Sequence, residues 1–132
     1  MRRSLAALGA RRIALVSPYP EGLSQAGYAY WRAAGIELAT IVRVDERLSD
    51  THAIYELTSA DALTALREVS RASVDALVAT GTGMPTLAAL RTLRTEVNVA
   101  ALSSNLCLAH ELLRLAAPEL APASASEMLS DC

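Results

Sequence analysis

The chain has 132 residues, 52% hydrophobic and 20% charged, with a formal net charge of −2. That is the length of about one domain, and it excludes a disordered chain, which needs low hydrophobicity and high charge. The basic excess that marks a nucleic-acid partner is absent, and with all 12 basic residues being Arg, lysine Schiff-base and P-loop chemistry are excluded.

Residues 1–11 superficially resemble a signal peptide, but the apolar stretch is short and is closed by Arg11 and Arg12, not by a cleavage site. They are expected to form a frayed lead-in or the remnant of an upstream segment. The first apolar run, residues 13–17, then reads as a strand, followed by helical spacing over 23–34 and Gly35 as its left-handed stop. A second strand is predicted at 37–44. The connection 45–58 is the longest, polar and aperiodic, which makes it a candidate functional loop. Ser59 is the expected N-cap of a helix over 59–70, with Leu63, Leu66 and Val69 on its apolar stripe. A third strand follows at 75–80, then a helix over 85–95 with Pro85 at its first position. The fourth strand spans 97–103 and the last helix 106–116. Residues 118–132, rich in Pro, Ala and Ser, are expected to be a loose tail.

None of the four runs alternates strictly, as expected of strands buried on both faces of a parallel sheet. The alternation of strands and helices predicts an α/β fold, an open doubly wound four-stranded parallel sheet flanked by helices in a flavodoxin-like three-layer lobe over residues 12–117. With 4% aromatic residues and no Phe, its core must be built from Ala, Leu, Val and Ile. No run approaches the roughly 18 apolar residues of a membrane span, so no membrane partner and a cytoplasmic location are expected. Cys107 and Cys132 form no Cys-x-x-Cys, and His52 and His110 stand alone. Neither a metal site nor a disulfide framework is indicated, and surface or packing roles are expected for both histidines.

Ligands of open parallel sheets bind beyond the carboxyl ends of the strands. Here those ends are Ser17-Pro18-Tyr19-Pro20, Thr80-Gly81-Thr82-Gly83-Met84-Pro85 and Ser103-Ser104-Asn105. Together they offer hydroxyls, a phenol, an amide and a run of backbone N–H groups, a collection suited to a small anion such as a carboxylate or phosphate. Each also has a plainer role. Gly81 and Gly83 permit a tight strand-to-helix turn, Ser104-Asn105 cap a helix, and Tyr19 packs between prolines. The Gly-x-Gly lacks a third glycine and follows the third strand, so a dinucleotide fingerprint is discounted. Arg91 and Arg94 read as a solvated helix face. Tyr28, Tyr30 and Trp31 read as a core stripe or as an exposed patch favouring dimerisation.

The stretches Arg12-Ile13-Ala14-Leu15-Val16-Ser17-Pro18-Tyr19, Val74-Asp75-Ala76-Leu77-Val78, Met84-Pro85-Thr86-Leu87 and Val99-Ala100-Ala101-Leu102-Ser103-Ser104-Asn105 resemble, in order and spacing, the aspartate/glutamate racemase superfamily. Within it the branch of maleate cis–trans isomerases and arylmalonate decarboxylases is nearest. The resemblance implies two similar α/β lobes with the active site between them, no cofactor, and a small carboxylate substrate. This chain would be the second lobe. It also implies that Tyr19 hydrogen-bonds a substrate carboxylate and that the Thr82 and Gly83 amides form the carboxylate-binding turn. The family cysteine, three residues before Met-Pro, falls on Gly81.

Two readings follow. One is a lone or truncated lobe of a cofactor-independent racemase, isomerase or decarboxylase, impaired by the glycine at 81 and completed either as a homodimer or by a separate first-lobe chain. The other is a non-catalytic carboxylate-binding module or gene fragment of the same fold. Tyr19, Gly81, Thr82, Gly83, Ser104 and Asn105 are the candidate binding residues in both.

Overall fold

The structure, a computed structural model, describes residues 1–129. Four strands, β1 (Arg12–Ser17), β2 (Glu37–Arg43), β3 (Ala76–Ala79) and β4 (Ala100–Ser103), form one parallel sheet in the order β2-β1-β3-β4. The helices are α1 (Arg2–Ala7), α2 (Glu21–Ala33), α3 (Ser59–Val69), α4 (Leu87–Arg94) and α5 (Ser104–Ala116). This is the doubly wound lobe expected from the alternating elements. Right-handed connections put α3 and α4 together on one face, with α2 and α5 on the other. The chain turns left from β1 to β2 and right from β2 to β3, so the reversal that opens a ligand crevice lies at the carboxyl ends of β1 and β3.

β1 and β3 are the fully covered strands. Residues 13–17 and 76–79 are all buried, so their runs of Ile, Ala, Leu and Val need no alternation. β4 is shorter than its apolar run predicts. It begins at Ala100, opposite Ala76, because β3 offers only four residues to pair with. The helix on 59–70 is capped one residue earlier than expected. Thr58, not Ser59, accepts the Asp61 N–H, and the Asp61 carboxylate accepts the Thr58 N–H in return. This capping box contributes about 1 kcal/mol. Its buried stripe is Ala62, Ala65, Leu66 and Val69, with Leu63 only half-buried. Pro85 precedes α4 instead of opening it, because the Thr86 hydroxyl turns inward and donates to Ser103 Oγ at 2.9 Å. Gly35 does stop α2. At φ +78° it donates to the Arg32 carbonyl while Ile36 donates to that of Trp31.

The described residues at both ends of the chain, 1–11 and 118–129, form more regular structure than their composition suggests. α1 buries Leu5 completely, and Arg3 of α1 pairs with Glu111 of α5 at 2.8 Å. In the tail, 3₁₀ turns at Pro118–Leu120 and Ala125–Leu129 return over α5 and β4, burying Ala125 and Leu129. The reason is tertiary: α5 and the β4 edge leave apolar surface that these residues cover. His110 is enclosed there with Nε2 2.9 Å from the Pro122 carbonyl, and Cys107 is fully buried. Cys132 lies outside the described residues. Tyr28 and Trp31 are core residues, so the exposed aromatic patch expected on α2 reduces to Tyr30. The larger exposed apolar row is Leu108, Leu112 and Leu115 on α5. Arg91 and Arg94 are solvated. No helix among the described residues is long and apolar enough to cross a membrane.

One carboxylate ties the amino ends of β1 and β3. Asp75 accepts the Arg11 and Arg12 amides at 2.9 and 2.8 Å, and these bonds hold its carboxyl below the ordinary 3.8. A depressed folded-state value stabilises the fold above the ordinary carboxylate range and ceases to do so as pH falls through the depressed value. Asp75→Asn should therefore lose less stability than the parent below about pH 4, measured by urea unfolding across the acid range.

Candidate functional site

At the carboxyl end of β1 three polar groups fix the course of the chain. Ser24 of α2 donates its hydroxyl to the Tyr19 carbonyl at 3.0 Å, Ser17 and Ser24 share a buried hydroxyl contact at 2.8 Å, and the Tyr19 N–H points at Ser17 Oγ at 3.4 Å. This closed network sets the backbone from which the Tyr19 side chain leaves. At the end of β3, both the amide and the hydroxyl of Thr80 bond the Val16 carbonyl, at 2.9 and 3.0 Å. The two strand ends are thereby clamped together, and Gly81 arrives beside Pro18 and Tyr19.

Gly81 has φ +89°, a conformation side chains rarely adopt. A Cβ placed there would lie 2.7 Å from Pro18 Cγ and 3.5 Å from the Tyr19 hydroxyl. The Pro18 ring thus occupies the space into which a residue-81 side chain would project, and the Tyr19 hydroxyl lies at contact distance beside it. Beyond Gly81 the Thr82 carbonyl is held by the Asn105 side-chain amide at 3.2 Å. Among the described residues no acceptor engages the Thr82 or Gly83 amides, so both can meet a ligand. Ser103, and not Ser104 or Asn105, caps α5 by accepting the Leu106 N–H at 3.2 Å.

Two cavities open onto these groups. One, of about 300 Å³, lies between α2 and the start of α5, and Ser17, Tyr19, Thr80, Gly81 and Ser104 contribute to its wall. The other, of about 200 Å³, is bounded by Tyr19, Thr82 and Gly83 and by the 3₁₀ turn His52–Glu56. Tyr19 borders both. Five of the six candidate residues therefore border one or other of two cavities that share Tyr19, and Asn105 borders neither but braces the turn through the Thr82 carbonyl. His52, expected to have a surface or packing role, borders the second cavity, and Pro18 lies against Gly81. Pro18 gave no chemical signal, and His52 gave none beyond its place in the long polar connection.

A larger cavity of about 780 Å³ lies along β2, but Glu21, Asp45, Glu46, Glu56, Asp61 and Glu68 outnumber Arg43 and Arg47 in its wall. Asp45 and Arg47 neutralise one another there, the Arg47 guanidinium holding the Asp45 carboxyl below its ordinary range. An acidic wall repels carboxylates, so this cavity does not compete for the same ligand. Among the described residues, no three His, Cys, Asp or Glu side chains group to hold a metal ion.

The crevice and fold can be set beside known proteins. The sequence matches the family described as arylmalonate decarboxylase over residues 1–129. A cysteine-to-serine variant of the Nocardia farcinica maleate cis–trans isomerase, solved with a covalently bound succinylcysteine intermediate, superposes with a TM-score of 0.82 at 28% identity, covering 99% of this chain and 54% of that one. A maleate isomerase variant from Pseudomonas putida S16 with maleate gives 0.77 at 24% identity, covering 86% and 45%. An arylmalonate decarboxylase gives 0.66 at 20% identity, covering 77% and 45%. No curated protein matches the sequence closely. The chain spans about half the length of these solved structures, which is one lobe of each.

Proposed function

Since this chain belongs to the arylmalonate decarboxylase family, we propose that its crevice holds a small carboxylate while the acid–base group of the reaction is not supplied from position 81. The lobe is homologous to one lobe of maleate isomerase and arylmalonate decarboxylase. The observation that carries the reading is the packing of Pro18 and Tyr19 against Gly81, with the Tyr19 hydroxyl 3.5 Å from where a Cβ would stand. A carboxylate in the adjoining cavity that Tyr19 shares with Thr82 and Gly83 would take a hydrogen bond from the phenol and others from the two amides, and charge-assisted bonds of this kind are the stronger class. Nothing in this scheme calls for a cofactor. The hydroxyls of Thr80 and Thr82 do not replace a thiolate, because an unassisted alcohol is a poor acid and a poor nucleophile without an adjacent base.

The chain by itself is thus proposed to bind and orient a carboxylate without turning it over. Were a second lobe to supply the acid or base, the same phenol and amides would stabilise the enediolate-like charge of proton abstraction or decarboxylation. Calorimetry with maleate and phenylmalonate tests the binding half of this reading. Both should bind at millimolar concentration or below, and Tyr19→Phe should weaken each about tenfold or more, the cost of losing a hydrogen bond to a charged group. Product analysis by NMR tests the other half, with no isomerisation or decarboxylation expected from the chain alone. Absence of binding at millimolar ligand, or turnover by the unmodified chain, would overturn it.

A further inference from the structure

We propose that His52 is the second anchor of the crevice, its imidazole taking the distal carboxylate of a short dicarboxylate whose proximal carboxylate lies at Tyr19 and the Thr82 and Gly83 amides. This rests on the carboxylate-binding reading above and adds a specificity residue to it. His52 and Tyr19 border the same cavity of about 200 Å³. That is smaller than the roughly 300–1,000 Å³ of pockets for drug-sized ligands, a size suited to a ligand of a few carbons.

The histidine sits on a supported turn. Its backbone N–H donates to the Asp50 carboxylate at 2.9 Å, and Ile54, two residues on, is buried. Ile54 Cγ2 and Tyr55 Cε1 each come within 3.2 Å of where a Cβ on Gly83 would lie. The turn therefore packs against the very backbone that carries the free amides. Charge selects the same residue. Of the side chains bordering the two site cavities, His52 alone can carry a positive charge. A monocarboxylate is satisfied by the phenol and amides; a dianion brings a second charge, and while the Thr51, Tyr55 and Thr82 hydroxyls in the wall are neutral donors, only the imidazole can offer a cationic one.

The test is calorimetry at one fixed pH with maleate as the dicarboxylate and crotonate as its monocarboxylate counterpart. The parent should prefer maleate. His52→Gln should cost about tenfold or more in maleate affinity and leave crotonate within about twofold, while Tyr19→Phe weakens both. His52→Arg should keep the preference for maleate. The imidazole is exposed, so these substitutions leave the fold intact, which circular dichroism checks. Should His52→Gln leave maleate affinity unchanged, or weaken both ligands equally, the anchor role is overturned while the Tyr19 site stands. If neither ligand binds the parent, the carboxylate reading itself fails, and the role of His52 with it.

Discussion

Gly81→Cys is expected to destabilise the chain by about 2–5 kcal/mol, and to yield no turnover despite placing a thiol where the resemblance implies the family's cysteine. Two separate costs add. At φ +89° a Cβ meets the following carbonyl, a strain of roughly 1–2 kcal/mol. The same Cβ stands 2.7 Å from Pro18 Cγ, and a buried proline ring cannot swing aside. Overpacking of that kind typically costs about 1–3 kcal/mol. The two terms separate in a double-mutant cycle with Pro18→Ala, which removes the overlap and leaves the backbone strain. Urea unfolding of the four proteins should show Gly81→Cys recovering about half its loss on the Pro18→Ala background. Were Gly81→Cys as stable as the parent, the turn would tolerate a side chain. The glycine would then be a simple replacement, not half of a packed pair. The relieved double variant is also the background in which thiol-dependent turnover of maleate deserves assay.

Leu5→Ala should cost about 2–5 kcal/mol, the range for deleting a fully buried leucine. For a domain whose whole stability is roughly 5–15 kcal/mol, that is a large share. α1 has only six residues and no side-chain N-cap, so it cannot persist by intrinsic propensity. Its order comes from Leu5 entering the core and from Arg3 meeting Glu111. An exposed neighbour serves as the control: Ala7→Ser should change stability by no more than about 0.5 kcal/mol. Equal midpoints for Leu5→Ala and the parent in urea would mean that α1 is not docked.

The gathering of the candidate residues was legible where chemistry and topology coincide. Tyr19, Gly81, Thr82, Gly83 and Ser104 stand at strand ends, and a parallel sheet brings strand ends together whatever their side chains. The position of His52 beside the same cavity as Tyr19 was not legible. It lies 33 residues from Tyr19 and 30 from Thr82 along the chain, and no periodicity reports how a polar connection folds back. Buried Ile54 is what returns it, through contact with Gly83.

By itself the sequence determined the sheet. Unbroken apolar runs at residues 13–17 and 76–79 suit only strands covered on both faces, and the helical stretches between them require right-handed crossovers. It also determined the stop of α2, since Gly35 is read from its local backbone freedom. Tertiary structure alone decided which residues are inside at the termini, which hydroxyl caps α5, and whether position 81 has room. Each depends on groups distant in sequence: Leu5 on the core, Ser103 on Thr86, Gly81 on Pro18. Local propensity acts within a turn of chain, whereas steric exclusion and buried hydrogen bonding act across whatever the fold makes adjacent.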